Sequence, residues 1–266
     1  MTASPDSRMP ILVGGGQFTQ RTAQKGDFEN SLDPIGLIVK AAEAAAADTS
    51  IGARLWASVD TVSIVRFTAD TNDGGRLPNM LYKNPPRSVA KRLGFAAANE
   101  IYTAVGGNTP QWLVNRTADA IWRGEQKVAL LAGSEDLATM IGALGKGHAL
   151  NWGEDDGSHP TEVGDNKSGV NAVERAHGMH FPVNVYPLFE QSIRKAKGRN
   201  VRDHQLALGR LFAPFTEIAA KNPYSWFPTA RSAEEIATPS DRNRYVGFPY
   251  TKYLNSVIQV DQSAAV

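Results

Sequence analysis

The sequence predicts a layered α/β fold, and three observations carry that reading. Short apolar or β-branched runs at Ile11-Leu12-Val13, Asp60–Phe67, Glu100–Ala104 and Lys127–Ala132 read as strands. Segments with helical periodicity lie between them, and glycine, proline and asparagine fall at the junctions. Strand, helix and strand in alternation place helices against a sheet, here expected to be a mixed sheet of five strands.

Taken in order, the first strand is expected to be buried and to end in Gly14-Gly15-Gly16 as a tight turn. From about Asp33 to Asp48, Ile35, Leu37, Ile38, Ala41, Ala42 and Ala45 recur at helical spacing. In Asp60–Phe67, Val62, Ile64 and Phe67 alternate with small or polar residues, and β-branched side chains favour the extended state. Asn84-Pro85-Pro86-Arg87 marks a helix start, because proline fits a first turn, and Gly94 is its C-cap. Gly106-Gly107-Asn108-Thr109-Pro110 follows the third strand and opens a helix from about Pro110 to Arg123.

Composition shifts after Met140. Residues 142–185 hold many Gly, Asn, Asp and Ser and all but one of the histidines, without sustained periodicity, and read as an irregular insertion. Helical patterns over 187–197 and 202–221 follow. After Pro239 the chain is loop-like until Ile258–Val260 and Ser263–Val266, which read as a strand that breaks off, leaving unpaired N–H and C=O groups. The expected divisions are therefore 1–140, 141–250 and 251–266.

With 266 residues, 42% hydrophobic and 21% charged, the chain can bury a sizeable core. A net charge of +1 spread along the length gives no basic stripe for nucleic acid. The longest apolar runs fall far short of the roughly 20 residues that cross a bilayer, and Met1–Pro10 lacks the apolar core of a secretory signal, so the expected location is cytoplasmic. Cysteine is wholly absent, which excludes disulfides, thiolate metal sites and a cysteine nucleophile supplied by this chain.

Four motifs invite sharper readings. Gly14-Gly15-Gly16 lacks the third Rossmann glycine, where Thr19 stands. Glu174, His177 and His180 have the spacing of a metal face, but Gly178 interrupts the helix and no fourth ligand is evident, so no metal is expected. Ser134 has no nucleophile elbow around it, and Glu135 is expected to organise the loop beneath it. Trp112, Trp122 and Trp226 read as core or interface anchors.

Several segments, in order, resemble the thiolase superfamily, most closely its thiolase-like acetyl-CoA acetyltransferase branch. They are Ile11–Gln17, Asn84-Pro85-Pro86-Arg87 with Leu93-Gly94, Ile121-Trp122-Arg123-Gly124 followed by Val128–Glu135, Lys221-Asn222-Pro223, and Pro249-Tyr250-Thr251-Lys252 leading to Val260–Ala265. The resemblance implies the first βαβαβ half of such a fold, with a loop domain inserted, and a nucleophilic cysteine where the helix before Ile121 begins. A helix N-terminus lowers a thiol's pKa, which suits it to attack an acyl-CoA. Counting back places Gly107 at that position, with Thr109 and Pro110 replacing the Ser-Gly that follows, so no catalytic residue is assigned.

Asn108 and Thr109 are the substrate-binding candidates, weighed against a simple capping role. The resemblance implies acyl-CoA as substrate, with no cofactor, and a second polypeptide completing the fold within an oligomer. The implied activity is nominally that of an acetyl-CoA acetyltransferase without its covalent step. Two other readings stay open: a non-catalytic acyl-CoA or lipid binding protein, and an enolate-stabilising decarboxylase or retro-aldolase.

Overall fold

Strands and helices alternate along the first part of the chain in a computed structural model that describes residues 6–70, 80–165 and 167–266. They are β1 (Gly16–Thr19), α1 (Pro34–Asp48), β2 (Thr61–Ile64), β3 (Met80–Tyr82), α2 (Pro85–Arg92), β4 (Asn99–Thr103), α3 (Thr109–Trp122), β5 (Ala129–Asp136), α4 (Leu137–Gly145), β6 (Trp152–Glu154) and β7 (Thr161–Val163). Then come α5 (Ala172–Ala176), α6 (Pro182–Ala196), α7 (Val201–Lys221), α8 (Ala233–Ala237), β8 (Tyr245–Gly247), β9 (Tyr250–Thr251) and β10 (Asp261–Ala265). Two units result, one from Met1–Asn166 with Ile258–Val266 and the other from Lys167–Val257. Residues 141–166 therefore group with the first unit.

The first unit carries a six-stranded mixed sheet in the order β1-β10-β5-β2-β4-β7. β5, β2, β4 and β7 run parallel, and β10 is antiparallel to both β1 and β5. Five strands were expected. The sixth, β7, comes from the segment read as irregular, where three residues beside β4 are too few to establish an alternation. β10 also departs from expectation, since it lies inside the sheet with both edges paired. Val266 and Leu131 exchange N–H···O bonds at 2.9 Å just past its end. The strand read from Ser263 begins two residues earlier, because the polar side chains of Asp261 and Gln262 look like loop.

The start of the chain needs a further correction. Ile11, Leu12 and Val13 are 74%, 76% and 53% exposed, not buried. Pairing of β1 begins at Gly16 opposite Ala265, so the apolar run lies outside the ladder. No turn is formed at Gly14, Gly15 or Gly16, the last of which already begins β1, and none of the three has a positive φ. Two of them are instead required by close approach to α1. A Cβ on Gly14 would stand 2.3 Å from Ala45 O, and one on Gly16 2.2 Å from Ala41 O, while one on Gly15 would meet nothing within 4 Å.

α1 forms because Asp33 caps it, its side chain accepting from Gly36 N–H at 2.7 Å, and because Pro34 fits the first turn. It lies with its backbone, as much as its side chains, on the sheet. Ser134 Oγ donates to Pro34 O at 3.0 Å and Ser263 Oγ to Leu37 O at 2.6 Å. Carbonyls 34, 37, 41 and 45 thus make one stripe, met in turn by two serine hydroxyls and two glycines. α2 is capped by Asn84, which accepts from Arg87 N–H at 3.2 Å. Ile35, Ile38 and Ala42 of α1 and Val89 of α2 pack with Val62, Ile64, Tyr102 and Leu130 as the core.

In the second unit, α6 and α7 are joined at Gly198, whose φ is +63°. Buried His204 of α7 meets Glu190 of α6 through Nε2 at 2.7 Å, and Tyr250 donates to the other carboxylate oxygen at 2.6 Å. Gly209 lets α7 approach α8, since a Cβ there would stand 2.1 Å from Ala233 O.

The α1 stripe gives a direct test. Gly16→Ala should cost about 1–3 kcal/mol, as overpacking does, and lower the melting temperature by several degrees. Gly15→Ala, with open space, should leave it within a degree or two. Equal effects in thermal melts would refute the close-approach account.

Candidate functional site

The face of the sheet opposite α1 bears a cavity of about 750 Å³, bounded by Pro110 and Leu113 of α3 and by strands β1, β10 and β5. Alternation along β5 decides which side chains reach it. Leu130, Ala132, Ser134 and Asp136 are buried, whereas Leu131, Gly133 and Glu135 are half-buried and line the cavity, whose wall also takes in Ala132 and Ser134. Gln17 and Gln262 reach it from β1 and β10.

β4 delivers the chain to Gly106 and Gly107, both lining the cavity, and α3 begins two residues later. Gly107 is exposed, and a Cβ added to it would meet nothing within 4 Å. Its backbone needs no glycine either, since its φ is not positive. Gly106 is more crowded, as a Cβ there would lie 2.8 Å from Thr109 Oγ1.

Asn108 is the N-cap residue of α3, yet its side chain makes no capping hydrogen bond and its backbone is already helical (φ −93°, ψ −9°). It is exposed, while Thr109 is buried. Thr109 N–H is bonded to Gly106 O at 3.1 Å, and Pro110 has no N–H. Two early positions of the helix are therefore closed to an anionic ligand.

Two charged residues beside the cavity were not assigned a site role from the sequence. Glu135 Oε1 accepts from Thr68 N–H at 2.9 Å and Thr68 Oγ1 at 2.5 Å, which fixes the loop after β2. Burial raises its pKa above the usual carboxylate range, against the opposing effect of those two bonds. Arg66 is 8% exposed and donates to Thr103 O at 3.0 Å and Asp70 at 3.1 Å. It also pairs with Glu162 at 3.0 Å, its guanidinium lying 4.3 Å from the centre of the Tyr102 ring. Its charge stitches β2, β4 and β7 together and is not offered to a ligand. The sequence signal for Glu135 was its place at the end of an apolar strand, whereas Arg66 had none.

The other candidate motifs are occupied elsewhere. Glu174 closes a capping box with Asn171, and His177 Nδ1 lies 2.8 Å from Val173 O. No group of three or more His, Cys, Asp or Glu among the described residues is placed to hold a metal. Trp112 and Trp122 are 37% and 44% exposed on α3 and so are not core anchors. No described helix is long and apolar enough to cross a membrane.

No protein-family model and no curated protein matches the chain. Among solved structures, a monomeric SCP2-thiolase like protein type 1 from Mycobacterium smegmatis matches 98% of it, with TM-score 0.70 and 31% identity. The chain is a relative of the thiolase superfamily. It spans 46% of the length of that mycobacterial protein. An acetyl-CoA acetyltransferase from Syntrophomonas wolfei shares the thiolase-like fold at TM-score 0.51 and 13% identity, over 96% of this chain and 62% of its own.

Gly107→Cys should fold as the parent does, with a melting temperature within about two degrees, because the added side chain enters open space. Placed just before α3, its thiol should alkylate faster than free cysteine. An iodoacetamide rate at or below that of a free thiol would show that the helix terminus does not activate this position.

Proposed function

We propose that this thiolase-like chain belongs to an acyl-CoA-handling protein in which the covalent acyl-enzyme step is missing. The observation carrying the proposal is Gly107, a bare and sterically unconstrained position at the entrance to α3 beside the cavity. By family resemblance a thiolate would stand there. Without it no acyl group can be parked on the protein, and what remains is binding and polarisation of a thioester. Asn108, whose side chain is not engaged in capping, is the better placed of the two binding candidates, and buried Thr109 shapes the turn.

The nominal activity on this reading is acetyl-CoA acetyltransfer, impaired, in a cytoplasmic oligomer. The mycobacterial neighbour is described as monomeric, so the oligomer rests on the family resemblance alone. Trp112, Val114 and Trp122 of α3 are between 37% and 44% exposed, but they point in different directions around the helix and make no single apolar face. The family resemblance implies a second polypeptide completing the fold and residues 141–250 as the family's inserted loop domain.

One observation favours a second reading. Glu135, with its raised pKa, lines the same cavity as Gly107 and has the chemistry of a proton carrier for an enolate formed without a covalent intermediate.

Incubation with acetoacetyl-CoA, followed by equilibrium dialysis and intact-protein mass spectrometry, tests the proposal. The expected result is reversible binding with no mass increase. An acetyl-sized adduct removed by free CoA would refute the missing covalent step, and absence of binding to the chain alone and with its partner half would refute the acyl-CoA reading.

A further inference from the structure

The α1 face of the β5–β10 ladder changes character along its length. Its cross-strand pairs run Ala132 with Ala265, then Ser134 with Ser263, then Asp136 with Asp261. Side chains directly opposite in an antiparallel pair lie on one face with their Cβ atoms roughly 4.5–5.5 Å apart. The last pair is therefore two carboxyl groups facing each other inside the protein, Asp136 being 5% exposed and Asp261 fully buried. Like charges so placed repel strongly in a low-dielectric interior.

Their hydrogen bonding is unequal. Asp261 accepts from Thr139 N–H at 2.9 Å and Thr139 Oγ1 at 2.8 Å, both donated by α4. Neither carboxyl oxygen of Asp136 meets a hydrogen-bond donor among the described residues. A protonated Asp136 resolves this, because its O–H can be given to Asp261, whose oxygens already accept the two hydrogen bonds from Thr139. Among the described residues, no cation forms an ion pair with either carboxyl group. From the start of α1, Asp33 contributes another negative charge, and it is held by Arg92 at 2.7 Å and by Tyr82. Arg92 is shared further with Glu154. Glu135, next along β5, adds another carboxylate, and Gln20, bonded through its N–H to Asp261 O at 3.0 Å, brings only a neutral amide.

We infer that Asp136 and Asp261 form a proton clasp: one shared proton closes the last rung between β5 and β10, and losing it loosens that rung. Burial first, and then Asp261, push Asp136 up to about 10, which agrees in direction with the geometry. The sign follows from linkage. In the unfolded chain Asp136 loses its proton near pH 3.8, while in the folded protein it keeps it to far higher pH. Folding therefore takes up a proton in the window from about 4 to about 10, and the protein loses stability as pH rises through it. Near neutral pH, Asp136 is a liability held for its conformational effect on β10.

The test uses the full chain. Asp136→Asn supplies a neutral amide that can donate to Asp261 at every pH. Its melting temperature at pH 8.5 should exceed that of the parent by several degrees, and the drop from pH 5.5 to 8.5 should shrink by at least half. A variant that melts lower than the parent at pH 8.5, or keeps the full drop, would overturn the clasp. A second measurement requires no variant. The carboxyl carbon-13 shift of Asp136 in the parent should stay at its protonated value through pH 7, and a shift already typical of carboxylate at pH 6 would overturn the inference. Calcium or magnesium chloride, matched in ionic strength to sodium chloride, should not raise the parent's melting temperature. A rise with the divalent salt that Asp136→Asn abolishes would show a metal, not a proton, between the two carboxylates.

Discussion

The contact on which the rest of the first unit depends is the placing of α1's backbone against the sheet. Side chains normally separate a helix from a sheet, but here carbonyls 34 and 37 accept hydroxyl protons from β5 and β10, and carbonyls 41 and 45 face glycine. Each carbonyl has two lone pairs, so a serine can bond it without displacing the helix's own N–H. Both serines sit on one cross-strand pair, Ser134 with Ser263, so the helix position and the strand register determine each other. Shift β10 by one residue and its side chains move to the other face, taking both the serine and the aspartate with them.

That arrangement also separates the two faces chemically. The α1 side is dense, hydroxyl-lined and closed, and carries Asp136 and Asp261. The opposite side is open, with Leu131, Gly133 and Glu135 of β5 around a cavity that α3 only partly covers. The bare Gly107 lies beside the cavity of the second face. Buried acids on the first face act on the fold, and the alternation of a single eight-residue strand keeps the two apart.

Much of this was legible in the residues. α1 could be read from its apolar spacing and the Asp33-Pro34 start, and α2 from Asn84-Pro85-Pro86, because capping and proline geometry are local. The position of Gly107 ahead of α3 was likewise legible, being a count along the chain to a helix. What was not legible depends on distant partners. Gly14 and Gly16 look like turn residues until α1 is laid over them, and Ile11–Val13 look like a strand until the ladder's register begins at Gly16. β10 was legible in part, from Ser263–Val266, but not its start at Asp261, whose polarity makes sense only once Asp136 stands opposite. Arg66 gave no signal, since four of its contacts, Thr103, Asp70, Glu162 and Tyr102, become one site only through β2, β4 and β7.

The placing of β10 between β1 and β5 has a consequence for how the molecule is made. β1 is joined to the sheet through β10, yet the two are separated by more than two hundred residues of chain. β5 is synthesised well before β10, with the whole of Lys167–Val257 in between. At translation speeds of about 5–20 residues per second, that interval alone lasts on the order of 5–20 s. During it the edges of β1 and β5 are exposed on the nascent chain, each a template for wrong pairing. A molecular chaperone therefore has a defined period in which to act.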